Sequence, residues 1–277
     1  MTKGTHWLRG VLTMRVCLAM GVLAISFQGA ASETLAMIQV PREALRYQAE
    51  FRRIQGAGSP QSMEKLFNMG ERVRKAFLSR RNRALLEAAR VEAMTDPRAQ
   101  TALDKLVENL THRRPGYRIG QGAELFYDDA DADVYLALAE QHGQEIDRDF
   151  FTRYQASFPR GESWPAHEEQ QTDISSCTRY GSPEFVGHHA RWQGFLTKHP
   201  RGFYADKART YLANHFDVTR RCSCDSKAAT LTGLETLELA LQPGKLKDSV
   251  ATEIRQRTGD PDNKAYYYRY DGRCQAG

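Results

Sequence analysis

Two stretches of this chain repeat one pattern 41 residues apart: Phe151-Thr-Arg-Tyr-Gln-Ala-Ser-Phe-Pro-Arg-Gly161 and Trp192-Gln-Gly-Phe-Leu-Thr-Lys-His-Pro-Arg-Gly202. In each stretch two aromatic residues lie three positions apart, and Pro-Arg-Gly follows. Aromatic residues at this spacing share one face of a helix, while proline and glycine end helices. The pattern therefore predicts helices that pack aromatic side chains through their last two turns and then stop.

The second stretch is followed by a segment with the pattern of a return helix, from Ala205 to Leu212. Helical hairpins that recur at roughly 34–47 residues are typical of α-solenoids. The similarity between the two stretches also has a simpler interpretation, which is ordinary helix-ending chemistry used twice. A short irregular α-solenoid is therefore one of two interpretations of the repeat.

Apolar residues recur at helical spacing over most of the chain, and almost no stretch alternates as a half-buried strand does. The predicted fold class is all-α, built from helical hairpins. Helices are predicted over 43–55, from Ser62 towards Met94, from Asp96, from Asp128 or Asp129 to about Gln141, and over 147–157, 184–198, 203–216 and 229–241.

A family resemblance lies at the second stretch. Phe195-Leu-Thr-Lys-His-Pro-Arg-Gly-Phe-Tyr-Ala-Asp-Lys-Ala-Arg209 resembles the helix–turn–helix junction of bacterial envelope tetratricopeptide-like proteins. Members of that group often have an aromatic residue, Tyr-Pro, a small residue, Tyr-Ala and Ala-Arg at this junction. The full repeat pattern with its early Trp and Gly is absent from this chain. The resemblance implies a protein-binding scaffold without catalytic residues.

The composition is close to the globular average and excludes collagen-like, low-complexity and wholly disordered chains. Of the 277 residues, 41% are hydrophobic and 26% charged, and the formal net charge is +5. So small an excess of positive charge does not argue for nucleic acid. The charge is uneven, however: residues 42–118 carry +8, residues 119–173 carry −10 and residues 174–277 carry +5. We expect a basic helical region over 32–118 and a helical-hairpin region over 119–277.

The first 31 residues have the layout of a secretory signal peptide. Lys3, Arg9 and Arg15 give a positively charged start, and an apolar segment of 12 residues, 16–27, follows. That segment is too short to cross a bilayer as a helix, and Gly29-Ala30-Ala31 offers a cleavage site. We expect cleavage, a mature chain that begins near Ser32, and a periplasmic or secreted location. The alternative is an uncleaved anchor.

Cleavage would leave four cysteines: Cys177, Cys222, Cys224 and Cys274. An even number in an exported chain predicts two disulfides. A bridge between Cys222 and Cys224 is disfavoured because it would close a very small ring. Each of these two residues should therefore pair with Cys177 or Cys274 and pin the C-terminal segment, and both such pairings stay open. Zinc bound by cysteine and His215 is the alternative.

No motif in the chain predicts catalysis or a cofactor. The run Asp128-Asp-Ala-Asp-Ala-Asp133 has calcium-loop spacing, but Val134 stands where the loop requires glycine. Acidic residues at a helix start explain the run without calcium. The histidines at 188, 189, 199 and 215 form the main local grouping, and we interpret them as surface or structural residues. The prediction is no catalytic residue, no cofactor and no metal.

Two sets of basic residues are candidate binding sites. The first is a dense basic segment with these candidate residues: Arg72, Arg74, Lys75, Arg80, Arg81 and Arg83. It could contact an anionic lipid or wall surface or an acidic partner, although a solvated helix face is the simpler interpretation. The hairpin near the second stretch has side chains that we expect to point outward and bind a partner protein: Arg191, His199, Arg201 and Lys207.

These observations predict an exported, non-enzymatic helical protein that binds another envelope protein as a scaffold, an assembly factor or an inhibitor. One alternative is an envelope hydrolase that acts on cell wall or polysaccharide, for which a structure would show one deep cleft with converging carboxylates or histidines. A second alternative is a protein that binds polyanions or a membrane surface through the basic 72–83 segment.

Overall fold

The computed structural model describes residues 43–121, 126–170, 176–215, 222–262 and 265–268. The predicted signal peptide and Cys274 lie outside these residues. Contacts within the chain define two compact units. Lys75–His112 belongs to one unit, and Arg42–Arg74 together with Arg113–Gly277 forms the other.

The regular structure of the described residues is mostly helical, which confirms the predicted class. The helices are α1 (Glu43–Gln55), α2 (Glu64–Phe77), α3 (Arg80–Ala93), α4 (Pro97–Arg113), α5 (Ala132–His142), α6 (Glu145–Ser157), α7 (Pro183–Lys198), α8 (Phe203–Ala213), α9 (Lys227–Ala240) and α10 (Lys245–Thr258). Short strands accompany them: β1 (Tyr117–Gln121), β2 (Phe126–Ala130), β3 (Glu168–Gln170), β4 (Ser176–Thr178), β5 (Cys222–Ser223) and β6 (Tyr267–Tyr268).

The strands form two small sheets that the all-α prediction did not include. β1 and β2 pair antiparallel, and the second sheet has the order β3-β4-β5-β6. In that sheet β4 and β5 are parallel although more than 40 residues separate them in sequence. Strands of two to five residues are too short for an alternating pattern to emerge, so periodicity could not reveal them.

The helices of the second half of the chain form three consecutive pairs. α5 packs on α6, α7 on α8 and α9 on α10. Two to four residues connect the helices within each pair, and such short connections join antiparallel neighbours. The predicted helical hairpins are therefore present over residues 132–258.

The two repeated stretches end their helices in the same way. α6 stops at Phe158, with φ −135° and ψ 56°, and α7 stops at His199, with φ −128° and ψ 75°. Proline and arginine follow each stop, and then Gly161 and Gly202 take φ values of +102° and +98°. Such values are open to glycine and unfavourable for other residues. However, α6 is the second helix of its pair and α7 the first of the next, so the similarity reflects shared helix-ending chemistry.

The aromatic residues of these helices form the core of their unit, as predicted. Phe150 lies 5.4 Å from Trp192 and 4.3 Å from Tyr204 between ring centroids. Phe67 on α2 packs edge-on against Phe151 at 5.3 Å. Pairs of this geometry contribute about 0.5–1.5 kcal/mol each beyond their buried area. Rings with no exposed surface include Phe67, Phe150, Phe151, Tyr154, Phe185, Trp192 and Phe195.

The segment from Ser62 towards Met94 was expected to be one long helix, and that prediction is wrong. α2 ends at Phe77, and α3 begins at Arg80 after an N-cap at Ser79. The Ser79 hydroxyl accepts the backbone N–H of Asn82. A serine whose side chain satisfies a free N–H stabilises a helix start, and it thereby divides the segment.

The acidic run after β1 was expected to start a helix at Asp128 or Asp129, and this too is wrong. Both residues lie on β2, and the helix begins only at Ala132 with Asp131 as its N-cap. The Asp128 carboxylate pairs with Arg114 at 2.5 Å, where both side chains are buried. This ion pair and the strand pairing hold the first two aspartates ahead of the helix.

A disulfide joins Cys177 on β4 to Cys224, which follows β5. The bridge is one of those predicted, and it clamps the two neighbouring strands together. Cys222 is also disulfide-bonded. The prediction for Cys274 lies outside the described residues.

Candidate functional site

The four predicted partner-binding residues do not share one orientation. Arg201 is exposed in the turn between α7 and α8. The His199 imidazole instead contacts the Asp149 carboxylate at 3.0 Å. Lys207 turns to Glu71, with its ammonium 2.7 Å from the carboxylate. The expectation of outward side chains therefore fits Arg201 and is wrong for Lys207.

Arg191, the fourth of these residues, is half-buried. Its guanidinium donates to the Ser157 hydroxyl at 3.3 Å and to the Glu184 carbonyl at 3.4 Å. Burial lowers the pKa of Arg191 below its ordinary value. This side chain therefore connects α7 to the end of α6 and does not project into solvent.

Lys207 points inward because it belongs to a charged cluster that links α2, α8 and the segment after α6. Arg74 lies 3.1 Å from Glu71, 3.4 Å from Glu162 and 3.6 Å from Asp129. We call these five residues the Glu71 cluster. Three carboxylates face two cations in it, so the cluster becomes neutral when one carboxyl group is protonated.

Glu162 is the carboxyl group best placed to hold that proton. Burial raises its pKa, and the neighbouring Glu71 carboxylate raises it further. Arg74 and the Tyr211 hydroxyl act in the opposite direction, and Tyr211 donates to Glu162 at 2.6 Å. Three carboxyl groups thus converge here, and both cations of the cluster pair with them.

The predicted basic segment divides between α2 and α3. Arg72, Lys75, Arg80, Arg81 and Arg83 are exposed, whereas Arg74 is held in the Glu71 cluster. Three of the exposed arginines, at positions 80, 81 and 83, occupy the first turn of α3, which contains no acidic residue. Cations at a helix N-terminus are disfavoured by about 0.3–1 kcal/mol each because they face the positive end of the helix dipole. Helix stability therefore does not explain this arrangement.

Three histidines converge in the unit that contains residues 113–277, and we call them the histidine trio. His167 precedes β3, His188 lies on α7 and His215 follows α8. One ring nitrogen from each can be chosen so that all three lie within 4.8 Å of one another. The His188 and His215 rings stack at 4.5 Å, and His167 lies 4.9 Å from His215 between centroids. All three are buried, with exposed fractions of 3%, 1% and 6%.

The surroundings of the histidine trio are aromatic. Phe185 lies 4.7 Å from His215, and Phe158 lies 5.6 Å from His188, between ring centroids. Burial, with a smaller contribution from His167, lowers the pKa of His188 to about 3. Burial also holds the pKa of His215 well below its ordinary value. Both imidazoles are therefore neutral at neutral pH, and each has one nitrogen with an available lone pair.

The sequence grouping of histidines contained only part of this trio. His188 and His215 were in it, whereas His167 lies in a polar stretch that no pattern connected to them. His189 is buried but lies outside the trio, and His199 contacts Asp149. Residues so far apart in sequence meet through tertiary packing, and no local sequence pattern predicts that they do.

The comparisons with known proteins do not add to this picture. No family model matches the chain, and neither a curated protein nor a solved structure shows significant similarity to it. In the part of the chain that the structure describes, the helices lack the length and apolar character needed to cross a bilayer.

Proposed function

We propose that this chain is an exported, non-enzymatic helical protein that binds another protein of the cell envelope. The observation that carries the proposal is the set of three helical hairpins over 132–258, of which the first two share an aromatic core and the third packs through leucine and valine side chains. Hairpins of this kind serve widely as rigid binding surfaces. The resemblance of residues 195–209 to envelope tetratricopeptide-like proteins supports the same assignment.

Export is supported by the leader-like first 31 residues and by the Cys177–Cys224 disulfide. Disulfides persist in the periplasm and outside the cell and are rare in the cytosol. N-terminal sequencing of the exported protein tests this step. We expect a start near Ser32, and an intact Met1 in the exported pool would contradict it.

The turn between α7 and α8 is the surface that we assign to the partner. His199 is anchored to Asp149, and Lys198 lies 2.8 Å from the Glu145 carboxylate. These contacts hold the turn against α6, so Arg201 is presented on a fixed backbone. A single exposed guanidinium on a rigid turn suits a carboxylate of the partner, because arginine binds carboxylates through two parallel hydrogen bonds.

Charge reversal at this turn tests the assignment. Arg201→Glu should weaken capture of the partner from an envelope extract, with bound proteins identified by mass spectrometry. The matched control is Lys245→Glu, which reverses an exposed cation at the α9–α10 turn. Both variants should keep the stability of the parent within about 0.5 kcal/mol. Lys207→Glu is unsuitable because it would place a carboxylate against Glu71.

Capture that Arg201→Glu leaves unchanged would remove the α7–α8 turn from the interface. Equal loss in Arg201→Glu and Lys245→Glu would indicate a general effect of charge and would equally contradict the assignment. Loss in Arg201→Glu alone supports it.

A second candidate function rests on the first turn of α3. Arg80, Arg81 and Arg83 are exposed at the helix end where cations are disfavoured, so an anionic surface would stabilise them. We propose that this turn binds anionic lipid or an equally acidic wall polymer. Each basic residue near such a surface contributes about 1 kcal/mol.

Sedimentation with phosphatidylglycerol-containing vesicles tests the second candidate. Replacing the three arginines by glutamine should reduce binding at low salt about 100-fold, given about 1 kcal/mol each. A matched triple variant should bind as the parent does; it replaces three scattered exposed cations, Arg46, Lys105 and Lys245. Binding that both triple variants reduce equally would contradict a specific role for α3.

A further inference from the structure

We propose that His167, His188 and His215 form a binding site for a first-row transition-metal ion of the zinc class. The three rings come from three different segments and meet at one point in the interior. This site differs from the expectation of no metal, and it is independent of the partner-binding surface.

The chemistry of the donors selects the ion. Three imidazoles offer nitrogen ligands, which suit zinc, copper, nickel and cobalt, whereas calcium and magnesium require oxygen. Aromatic side chains among the described residues pack against the rings, among them Phe158, Phe185 and Trp192. Three histidines also leave a tetrahedral ion one position short, as in zinc sites that keep an exchangeable ligand.

Unsatisfied nitrogens inside the protein are a second, independent indication of a ligand. Both ring nitrogens of His215 are buried without a hydrogen-bond partner, and His188 has one hydrogen bond at most, to the Tyr211 backbone. A buried polar group left in this state costs about 1–3 kcal/mol. A metal ion would take up one lone pair from each ring and thereby remove part of this cost.

Coordination of an ion requires the ring nitrogens to approach one another and at least one ring to turn. Zinc–nitrogen bonds of about 2.0–2.1 Å place tetrahedral ligands about 3.4 Å apart. The chosen nitrogens lie within 4.8 Å of one another, so no pair has to approach by more than about 1.4 Å. The His188 and His215 rings are stacked with their planes 7° apart, so rotation about the side-chain torsion angles of at least one ring has to bring the in-plane lone pairs onto one point.

Hydrogen bonds and secondary structure fix the backbone that carries the three histidines. The His167 carbonyl accepts the Arg179 N–H at 2.7 Å, just beyond the strand that carries Cys177 of the disulfide. His188 is in the middle of α7, and His215 follows the last turn of α8. Ligands on elements that are tied together in this way keep their relative positions.

Arg191 is a cation close enough to lower the pKa of His188 and of His215. The buried ion would therefore experience repulsion from it. Its guanidinium is, however, engaged by Ser157 and by the Glu184 carbonyl. We accordingly expect binding that is specific in site and stoichiometry and weaker than that of thiolate zinc sites.

The test uses the full exported chain, stripped with a chelator and titrated with Zn²⁺ by calorimetry, with metal content measured by mass spectrometry. We expect one Zn²⁺ per chain, a higher melting temperature with Zn²⁺, and no effect of Ca²⁺ or Mg²⁺. Co²⁺ in place of Zn²⁺ should give visible absorption bands typical of tetrahedral coordination.

His215→Phe is the decisive variant because it keeps a ring against Phe185 and removes both nitrogens. It should fold at least as stably as the metal-free parent and bind Zn²⁺ more than about 100-fold more weakly, since loss of even an outer-sphere partner costs about 10–100-fold. His167→Gln serves as a second variant, and circular dichroism verifies that both fold. The matched control is His189→Gln, which removes a buried imidazole outside the trio.

Stoichiometric binding that His215→Phe and His167→Gln lose and His189→Gln keeps supports the site. Absence of Zn²⁺ binding by the parent chain overturns the proposal. Binding that the variants retain places the ion elsewhere and overturns it as well. Equal loss in His189→Gln and in the trio variants would assign the ligands to a different set and contradict the proposal as stated.

Discussion

The buried carboxylate of Asp147 should be among the side chains whose removal destabilises the fold most. Asp147 has no exposed surface, and its oxygens accept three hydrogen bonds. The donors are the backbone N–H of Met63 at 3.1 Å, the N–H of Gln144 at 2.9 Å and the Tyr204 hydroxyl at 2.7 Å. One side chain thus links the starts of α2 and α6 with α8.

Asp147→Ala removes both acceptor oxygens and leaves three donors unsatisfied, two of them buried. Each such donor costs about 1–3 kcal/mol, and removal of a buried charge returns part of that sum. We therefore expect the free energy of unfolding to fall by about 3–5 kcal/mol. Asp147→Asn keeps one oxygen for Met63 and Tyr204 and turns its amide towards Gln144. A single hydrogen bond is then lost, so we expect a fall of about 1–2 kcal/mol.

Comparison of the parent with Asp147→Asn also reveals how the stability contributed by Asp147 depends on pH. Burial raises the pKa of Asp147 above its ordinary value, against its hydrogen bonds from Tyr204, Gln144 and Met63, which lower it. The folded chain therefore holds this proton more tightly than the unfolded chain. Between the two pKa values the native state binds more protons, so the stability from this group is present at low pH and falls as the pH rises.

Guanidinium unfolding of parent, Asp147→Asn and Asp147→Ala at pH 4 and pH 7 measures both effects. The stability advantage of the parent over Asp147→Asn should be larger at pH 4 than at pH 7, because asparagine does not titrate. An advantage that grows towards pH 7 would refute the reasoning on the pKa. An Asp147→Ala variant that loses less than 1 kcal/mol would show that the three hydrogen bonds do not hold the helices together.

Three further predictions concern other parts of the fold. Replacing Cys177 and Cys224 together by serine should lower the free energy of unfolding by about 2–5 kcal/mol, as measured by thermal melting; an unchanged melting temperature would contradict this. Trp192→Ala should lower it by about 3–5 kcal/mol because it opens a cavity in the aromatic core; a loss below 1 kcal/mol would show that the ring is not packed. Gly233→Ala should destabilise strongly, since a Cβ there would overlap a backbone carbonyl, whereas Gly194→Ala, which has open space, should stabilise by about 0.4–1 kcal/mol.

The helical class was predictable because its determinants are local. Phe151, Tyr154, Trp192 and Phe195 lie on helix faces that periodicity reveals, and all four are buried. The Pro-Arg-Gly stops act within a few residues. The N-cap at Ser79 is also a local feature. Serine occurs both as a helix cap and within helices, however, so the sequence alone does not say which role it takes here.

The orientation of Lys207 shows where local patterns stop being informative. Helical spacing places it on a face near the turn, and a lysine on such a face is ordinarily solvated. Its ammonium instead meets Glu71, 136 residues earlier in the sequence. An ion pair between residues so far apart in sequence depends on how α2 and α8 pack together. The aromatic core determines that packing, and the Lys207–Glu71 pair forms as a result.

The meeting of the three histidines also depends on tertiary packing, and in addition on which face of α7 points into the core. His188 and His189 are adjacent, and a helix turns each residue about 100° from the last, so only one of them can face a given point. Phe185 and Trp192 lie three and four positions from His188, and both are in the core, so the core face of α7 selects His188 for the interior. His167 and His215 reach that same point because β3 and the end of α8 border the same core. Packing of aromatic residues thus decides which imidazoles lose water, and the buried nitrogens that result are what give the interior its capacity for a metal ion.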